Sequence, residues 1–306
     1  PILGCEFYIS NRDATVKEPE NSKLAHQVVL AKDLKGWKNL LSMVSISNKV
    51  DHFYHKPRVG TDYFMELASK ANGSLVSFSG HLGSRLATAV VDNPNWQSDG
   101  IREAERLKEA ERMEEAFGKG NFYIEIQLID SLINQKAKEV AEKLREISKL
   151  TKIPCVATPD AHYCRREDAH DQRVLLCTSL RKSIGQVQSE LKQGKSKFLG
   201  TFFNSNNYHI PSYEDMREFH TEEELEHTID IANMCTNYDI LGPPNPPVFD
   251  CPDGMSPNSY LRELCRVGWA DKMDHIAKGS LFSDYGDRVN KEIKIFTETN
   301  LSSYFL

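Results

Sequence analysis

Residues 121–160, with the sequence NFYIEIQLIDSLINQKAKEVAEKLREISKLTKIPCVATPD, contain the pattern that decides the fold. A strand-like apolar run (121–129) is followed by a helical pattern (131–150) and by a second strand-like run (152–160). Ser131 is placed to cap this helix at its N-terminus. The apolar positions of the helix recur at helical spacing and are Leu132, Ile133, Val140, Ala141, Leu144, Ile147 and Leu150. Elements in this order are typical of two parallel strands joined by a crossover helix.

The same alternation of strand and helix continues upstream. A charged helical pattern occupies residues 99–120, and Gly118 and Gly120 supply its stop signal. Its apolar positions are Ile101, Ala104, Leu107, Met113 and Phe117. Further strand-like runs are residues 5–10, 25–31 and 73–80. The sequence therefore predicts an α/β fold in which parallel strands are covered by helices, either as an open sheet or as a barrel.

The character of the chain changes after about residue 210. Residues 212–235 are helical and acidic, and residues 241–254 are rich in proline, which neither helix nor strand interiors tolerate. Two helical patterns follow, the first with Ser256 or Asn258 as its cap. We predict a first domain at residues 1–242 and a smaller, mainly helical segment at residues 243–306.

Composition and charge restrict the class of protein. Of the 306 residues, 40% are hydrophobic and 27% are charged, and no apolar run approaches the roughly 20 residues of a membrane helix. The net charge of −6 gives no overall basic surface for nucleic acid. The seven cysteines have no disulfide-like spacing, which favours the cytoplasm. Because the chain starts at Pro1 and stops on apolar residues, we expect a fragment of a longer protein.

Several acids and histidines lie at the ends of predicted strands. Asp160 and His162 come directly after the strand-like run at 152–158, and in parallel α/β folds the carboxyl ends of strands carry the functional site. Glu6, His26 and His81 lie in or beside other strands. Taken singly, each of these has an ordinary structural explanation, such as an exposed strand residue or a hydrogen-bonded core histidine. Together they are candidates that the fold can bring to one place.

Carboxylate and imidazole groups together suit Zn, Mn or Fe. Clusters of such ions commonly activate water and bind a phosphate during hydrolysis, so phosphoester chemistry is expected. His170, His220 and His227 lie on charged helical stretches, where solvent exposure is the usual explanation. Lys56 and Arg58 lie in a basic stretch flanked by aromatics that can touch a phosphate backbone, although a solvated loop is the simpler interpretation. The sequence has no glycine-rich phosphate loop and no CxxC pair.

A series of segments resembles the PHP (polymerase and histidinol phosphatase) domain of bacterial C-family replicative DNA polymerases. The segments that carry the resemblance, in order and spacing, are GCEFYIS, AHQVVLAKDLKGWKNLLSMVS, HKPRV, SLVSFSGHLGS, FYIEIQL, IPCVATPDAHYCRREDAHDQRVLLC and EHTIDIANMC. The later stretches SPNSYLRELCRVGWADK and KEIKIFTETNLSSYFL resemble the passage from that domain into the polymerase palm. The resemblance covers nearly the whole chain.

The resemblance implies a distorted seven-stranded (β/α) barrel of the PHP type, with its first strands missing, whose strand ends hold up to three metal ions. Glu6 and His26 match metal-binding positions of the family, as do Asp160 and His162, which close the cluster. At His81 the family often has cysteine, and imidazole in place of thiolate shifts the preference from Zn toward Mn or Fe. Pro159 stands where asparagine is usual. The family's His-x-His pair is expected upstream of Pro1.

The function implied is part of a replicative DNA polymerase, an enzyme that uses a DNA primer-template, nucleotides and Mg²⁺. The PHP part would contribute stability or metal-dependent 3′–5′ exonuclease activity, and a sliding clamp and a proofreading exonuclease subunit are the expected partners. Because the palm aspartates are expected beyond Leu306, the chain itself should not polymerise DNA. Two alternatives remain: a free-standing PHP phosphoesterase, and a module without metal that docks a proofreading exonuclease.

Overall fold

The computed structural model describes residues 1–80, 82–91, 100–129, 135–195, 197–243, 245–276 and 280–306. Within this part of the chain there are two compact units, Pro1–Tyr238 and Asp239–Leu306. The functional meaning of the predicted domains, 1–242 and 243–306, stays a prediction.

Six strands form one sheet in the first unit. They are β1 (Leu3–Ser10), β2 (Leu24–Ala31), β3 (Val59–Gly60), β4 (Leu75–Phe78), β5 (Phe122–Gln127) and β6 (Cys155–Thr158). The order across the sheet is β3-β1-β2-β4-β5-β6. β1 pairs with β3, β4 with β5, and β5 with β6 in parallel. The predicted α/β class is confirmed.

The predicted parallel arrangement holds for three of the five strand pairings, and the exception is β2, which is antiparallel to both β1 and β4. A parallel return needs a crossover of a dozen or more residues, usually a helix. The connection from β1 to β2 contains only a short 3₁₀ turn at Pro19–Asn21, so it brings β2 back alongside β1 in the opposite direction. Among the described residues no pairing joins the end strands β3 and β6. Closure into a barrel stays a prediction.

Five helices accompany these strands. They are α1 (Leu34–Ser47), α2 (Thr61–Lys70), α3 (Arg85–Val91), α4 (Gly100–Phe117) and α5 (Gln135–Thr151). The two long predicted helices, α4 and α5, are confirmed, and α4 ends where Gly118 adopts a φ of 88°. The start of α5 predicted at Ser131, with Leu132 and Ile133, lies outside the described residues. Leu150 is 57% exposed in the last turn of α5, so the buried stripe of that helix ends at Ile147.

The core lies on both sides of β5. Its residues are buried at successive positions from Phe122 to Ile126, and since side chains alternate between faces, β5 is covered on both faces. One face belongs to the main core, which α4 and α5 help to form through Met113, Phe117, Ala141, Leu144 and Ile147. On the other face, Tyr123 packs with Val76, Val156 and Ile231. A strand enclosed in this way has no place for an isolated charge, yet it contains Glu125.

Five more helices are described in the first unit. They are α6 (Ala169–Ser179), α7 (Ile184–Lys192), α8 (Lys197–Asn204), α9 (Tyr213–Arg217) and α10 (Glu222–Met234). The expectation that His220 is solvent-exposed is wrong: its side chain is buried, with Nε2 3.1 Å from the Leu128 carbonyl and Nδ1 3.3 Å from Glu224. His227 is also partly buried, with Nδ1 2.6 Å from the Cys155 carbonyl. His220 thus connects the turn before α10 to the residue after β5, and His227 connects α10 itself to the first residue of β6.

The second unit is helical, as predicted. It contains α11 (Pro257–Ile276), α12 (Ser280–Glu298) and α13 (Ser302–Phe305). Ser256 caps α11, since its hydroxyl accepts a hydrogen bond of 3.2 Å from the Ser259 amide. Trp269 and Phe282 contact edge to face, with ring centroids 5.0 Å apart, and join α11 to α12. Of the helices that the structure describes, none is both long and apolar enough to span a lipid bilayer.

Candidate metal centre

Glu6 and His26 form one half of the candidate site. In the antiparallel register of β1 and β2, Tyr8 lies opposite His26, and Glu6, two residues before Tyr8, lies on the same face. The Nδ1 atom of His26 contacts the Glu6 carboxylate at hydrogen-bond distance. The Glu6 side chain is 45% exposed, so the pair is open to solvent. Two predicted ligands 20 residues apart in sequence are thus brought together by simple strand pairing.

Asp160 and His162 form the second half, directly after β6. The Nδ1 atom of His162 lies 2.9 Å from the Asp160 carbonyl oxygen and 3.6 Å from its carboxylate. A carbonyl oxygen can only accept, so Nδ1 carries the proton and Nε2 carries the lone pair, which is the tautomer that binds a metal through Nε2.

Aromatic residues fix the ring of His162. Its centroid lies 4.7 Å from that of Phe202 and 5.8 Å from that of Tyr208, both in edge-to-face arrangements. The His162 amide also donates to the Tyr208 carbonyl at 2.7 Å. The last part of α8 and the segment after it therefore hold the Asp160–His162 turn in place.

Glu125, which sequence reasoning did not single out, interacts electrostatically with an acid from each of the two pairs. The pKa of its carboxyl is raised to about 7, mainly by burial; hydrogen bonds from Thr158 and the Gly80 amide lower the pKa, and the charges of Glu6 and Asp160 raise it. Both halves of the site are therefore within electrostatic reach of this one carboxyl. The signal in the sequence was available: a single acid at the centre of FYIEIQ, a strand otherwise apolar on both faces.

The Glu125 carboxyl is only partly satisfied. Thr158 donates to Oε1 at 2.5 Å, whereas Oε2 is buried and has no hydrogen-bond partner among the described residues. A buried carboxylate oxygen without a partner is costly. A cation bound at this oxygen would remove that cost.

The predicted ligands are not all gathered in one cluster. Within the described ranges, no three His, Cys, Asp or Glu side chains stand in a metal-binding arrangement. His81, the fifth predicted ligand, lies outside the described residues. The structure contains two acid–imidazole pairs, Glu6–His26 and Asp160–His162, and the pKa of the buried Glu125 carboxyl is raised by the acid of each pair. This donor set of carboxylate oxygens and imidazole nitrogens fits a divalent ion such as Zn, Mn or Fe.

The two basic residues proposed for nucleic-acid contact, Arg58 and Lys56, differ in their exposure to solvent. Arg58 is fully buried, and its guanidinium donates to the carbonyls of Ala14, Val16 and Asn21 at 2.8–3.1 Å. It has no exposed surface for a phosphate and instead holds the connection between β1 and β2. Lys56 is exposed, and its ammonium lies 3.1 Å from the Tyr8 hydroxyl.

Comparison with known proteins identifies relatives for the whole chain. Residues 1–128 match the PHP domain model. All of this chain aligns with the DNA polymerase III alpha subunit of Helicobacter pylori strain J99 (26% identical, 25% of that protein's length). It aligns equally with those of Borreliella burgdorferi (28%, 24% of its length) and Aquifex aeolicus (28%, 25% of its length). The chain thus spans about a quarter of the length of the curated relatives it matches, and the resemblance to the PHP region of these polymerases is confirmed.

Proposed function

We propose that this chain is the PHP-containing region of a replicative DNA polymerase III alpha subunit. The observation that supports this best is the alignment of the entire chain, rather than the PHP part alone, with alpha subunits of several bacteria. The parent protein would extend a DNA primer with nucleotides and Mg²⁺ in the cytoplasm, with a sliding clamp and a proofreading exonuclease as partners. In this proposal residues 243–306 form the entry to the polymerase palm.

The PHP site itself would hold divalent metal. The proposed ligands are Glu6, His26, His81, Asp160, His162 and, added from the structure, Glu125. The supporting observation is that the charges of Glu6 and Asp160, one from each half of the site, both raise the pKa of the buried Glu125 carboxyl. Like charges placed this closely in a partly buried site are stabilised by a cation.

The chain's own residues prepare the site for such an ion. Glu6 orients the His26 ring through Nδ1, and the Asp160 carbonyl holds the proton of His162 on Nδ1 so that Nε2 can bind. Thr158 fixes one oxygen of Glu125, and the other has no hydrogen-bond partner in the part of the chain that the structure describes. Bound Zn, Mn or Fe would supply an activated water and a charge for phosphate oxygens, as required for removal of a nucleotide from a DNA 3′ end.

Elemental analysis of the purified protein tests the metal proposal. We expect bound Mn, Zn or Fe in the wild type, and at least a tenfold loss of affinity in Asp160→Asn, because the carboxylate is exchanged for a neutral amide of the same shape. Asp171→Asn, an exposed acid in the first turn of α6, is the matched control and should retain the metal.

Absence of metal from the wild type after purification in metal-supplemented buffer would contradict the proposal and favour a docking role. Equal metal content in wild type and Asp160→Asn would remove Asp160 from the ligand set. If metal is bound, release of nucleotides from a labelled DNA 3′ end, abolished by Asp160→Asn, would assign the exonuclease activity to this site.

A further inference from the structure

A basic and aromatic surface adjoins the Glu6–His26 pair, and metal binding does not account for it. Tyr8 lies opposite His26 in the sheet, and the two rings contact edge to face with centroids 5.0 Å apart. Lys56 lies against the same tyrosine, with Nζ 4.2 Å from the ring centroid and 3.1 Å from the hydroxyl oxygen. A positive charge is therefore separated from the candidate metal pair by one side chain.

The described contacts of Lys56 leave its charge uncompensated. Its ammonium group has three donors, and the only partner among the described residues is the Tyr8 hydroxyl. No described carboxylate forms an ion pair with it, although acids outnumber basic residues in this chain by 44 to 38. A solvent-exposed lysine in this position, beside a site for cations, has the right charge to hold an anionic oxygen.

The turn that carries Lys56 is fixed rather than loose. The Tyr54 amide donates to the Lys56 carbonyl at 3.2 Å, and His55 between them adopts a left-handed φ of 61°. Below the turn, the buried Arg58 lies 5.0 Å from the Tyr54 ring and is anchored by backbone carbonyls. Because the turn is already ordered, ligand binding does not cost the conformational entropy of ordering the loop.

The same turn presents aromatic rings next to the lysine. The centroids of Tyr54 and His55 are 4.3 Å apart, and His55 is exposed. Aromatic faces beside a cation are the elements by which proteins bind single-stranded nucleic acid without sequence preference, since bases stack on the rings and the cation contacts the backbone. A site for a small phosphate ester would need the lysine but not the rings.

We propose that Tyr8, Tyr54, His55 and Lys56 form a binding surface for single-stranded nucleic acid that leads the strand's terminal phosphodiester to the Glu6–His26 pair. The inference rests on the proposed function and deepens it, because it assigns the residues that would bind the strand beside the metal site. Lys56 contacts a phosphate oxygen, the Tyr8 hydroxyl orients the ammonium, and His55 stacks on a base. In this arrangement Lys56 binds the strand directly, and the Tyr8 hydroxyl is the group that positions it.

Binding of a fluorescein-labelled oligothymidylate of about 12 nucleotides, followed by anisotropy in EDTA, tests the proposal. We expect Lys56→Gln to weaken binding by about 3- to 10-fold at low salt and to reduce the slope of log affinity against log salt by about 0.7, the value for one phosphate on a single strand. His55→Asn removes the ring while tolerating the left-handed backbone and should weaken binding by about fivefold or more. Lys38→Gln, an exposed lysine on α1, is the control and should bind as wild type does.

Two outcomes would overturn the inference. In one, Lys56→Gln and Lys38→Gln both bind the oligonucleotide as tightly as wild type. In the other, inorganic phosphate displaces the oligonucleotide with the same Lys56 dependence while His55→Asn has no effect, which identifies a site for small phosphate compounds. Because the assay contains EDTA, its result is independent of metal content. Loss of metal with intact Lys56-dependent binding would contradict the metal proposal alone, and bound metal without Lys56-dependent binding would contradict this inference alone.

Discussion

The hydroxyl of Thr158 donates a 2.5 Å hydrogen bond to the carboxylate of Glu125, and this bond joins the neighbouring parallel strands β6 and β5 through their side chains. Thr158 is the last residue of its strand, two residues before Asp160. The bond therefore couples the position of the buried carboxyl to the turn that carries the Asp160–His162 pair.

Replacing Glu125 by glutamine should change stability and metal binding in opposite directions. The amide keeps the shape but removes a charge whose burial raises the pKa of the carboxyl to about 7. At pH 8 we expect the free energy of unfolding of the metal-free protein to rise by about 1–2 kcal/mol, and the metal content to fall. Urea unfolding in EDTA and elemental analysis measure the two effects.

The control for Glu125→Gln is Glu66→Gln on α2, an exposed acid that forms an ion pair with Lys70. This variant should change the free energy of unfolding by less than about 0.5 kcal/mol and should leave the metal content unchanged. A destabilised Glu125→Gln protein that still holds its metal would mean that this carboxyl is a structural hydrogen-bond acceptor.

The contact of Glu224 with Arg145 predicts acid sensitivity of the fold. Arg145 donates to both Glu224 oxygens at 2.6 and 2.8 Å. Burial alone would raise the pKa of Glu224, but hydrogen bonds from Arg145 and His220 outweigh it and lower the pKa to about 2 from an ordinary value of 4.5. Because the pKa is lower in the folded state, the stabilisation is complete above about pH 4.5 and is lost as the pH falls toward 2.

Urea unfolding of wild type and Glu224→Gln at pH 6 and pH 3 measures this contribution. At pH 6 we expect Glu224→Gln to be less stable by about 3 kcal/mol, since it leaves the Arg145 charge without its partner. At pH 3 the difference should shrink by about 1–2 kcal/mol as wild type loses part of the same interaction. A difference that is equal at both pH values would contradict the assignment.

Arg58 should be a stability residue rather than a binding residue. Its guanidinium donates to carbonyls at three positions of the β1–β2 connection, a geometry that the single ammonium of lysine cannot reproduce. We expect Arg58→Lys to lower the free energy of unfolding by about 2–4 kcal/mol. Arg12→Lys, an exposed arginine paired with Glu18 at 3.5 Å, is the control and should cost less than about 0.5 kcal/mol. Unchanged stability in Arg58→Lys would show that the connection is held by other contacts.

The 306-residue chain should not extend a DNA primer. The resemblance implies that the Mg²⁺-binding aspartates of the palm are not among residues 1–306, and nucleotidyl transfer requires such a metal pair. A gel assay with primer-template, Mg²⁺ and all four nucleotides should give no product above background. Extension that co-purifies with the protein through two chromatographic steps would refute the interpretation of this chain as the PHP-containing region.

The local parts of the fold were accessible from the sequence. Helices α4 and α5 are long and strongly periodic, and cap preference limited the start of α11 to Ser256 or Asn258, of which Ser256 makes the capping hydrogen bond. Asp160 and His162 were recognised because they follow a strand directly, where their spacing already brings them together. In each case the interaction that determines the structure is made between neighbours in sequence.

The features that were missed depend on partners far apart in sequence. The direction of β2 depends on a connection that lacks a helix, and the burial of Arg58 depends on carbonyls from residues 14–21. The importance of Glu125 depends on the charges of Glu6 and Asp160, which only the folded sheet brings near. The apolar strand around Glu125 marks that acid as unusual but does not identify the charges near it, and no local pattern indicates the direction of β2 or the burial of Arg58, since basic residues are ordinarily exposed.

The antiparallel pairing of β1 with β2 also determines when each half of the site can form on the ribosome. Glu6 and His26 meet through a connection of low contact order, so this hairpin can pair soon after Ala31 has been synthesised. Asp160 follows β6, which is made about 130 residues later, a delay of roughly 6–25 s at bacterial rates of elongation. During that interval the nascent chain would present one acid–imidazole pair without the other, so we expect tight capture of metal only after β6 has been translated.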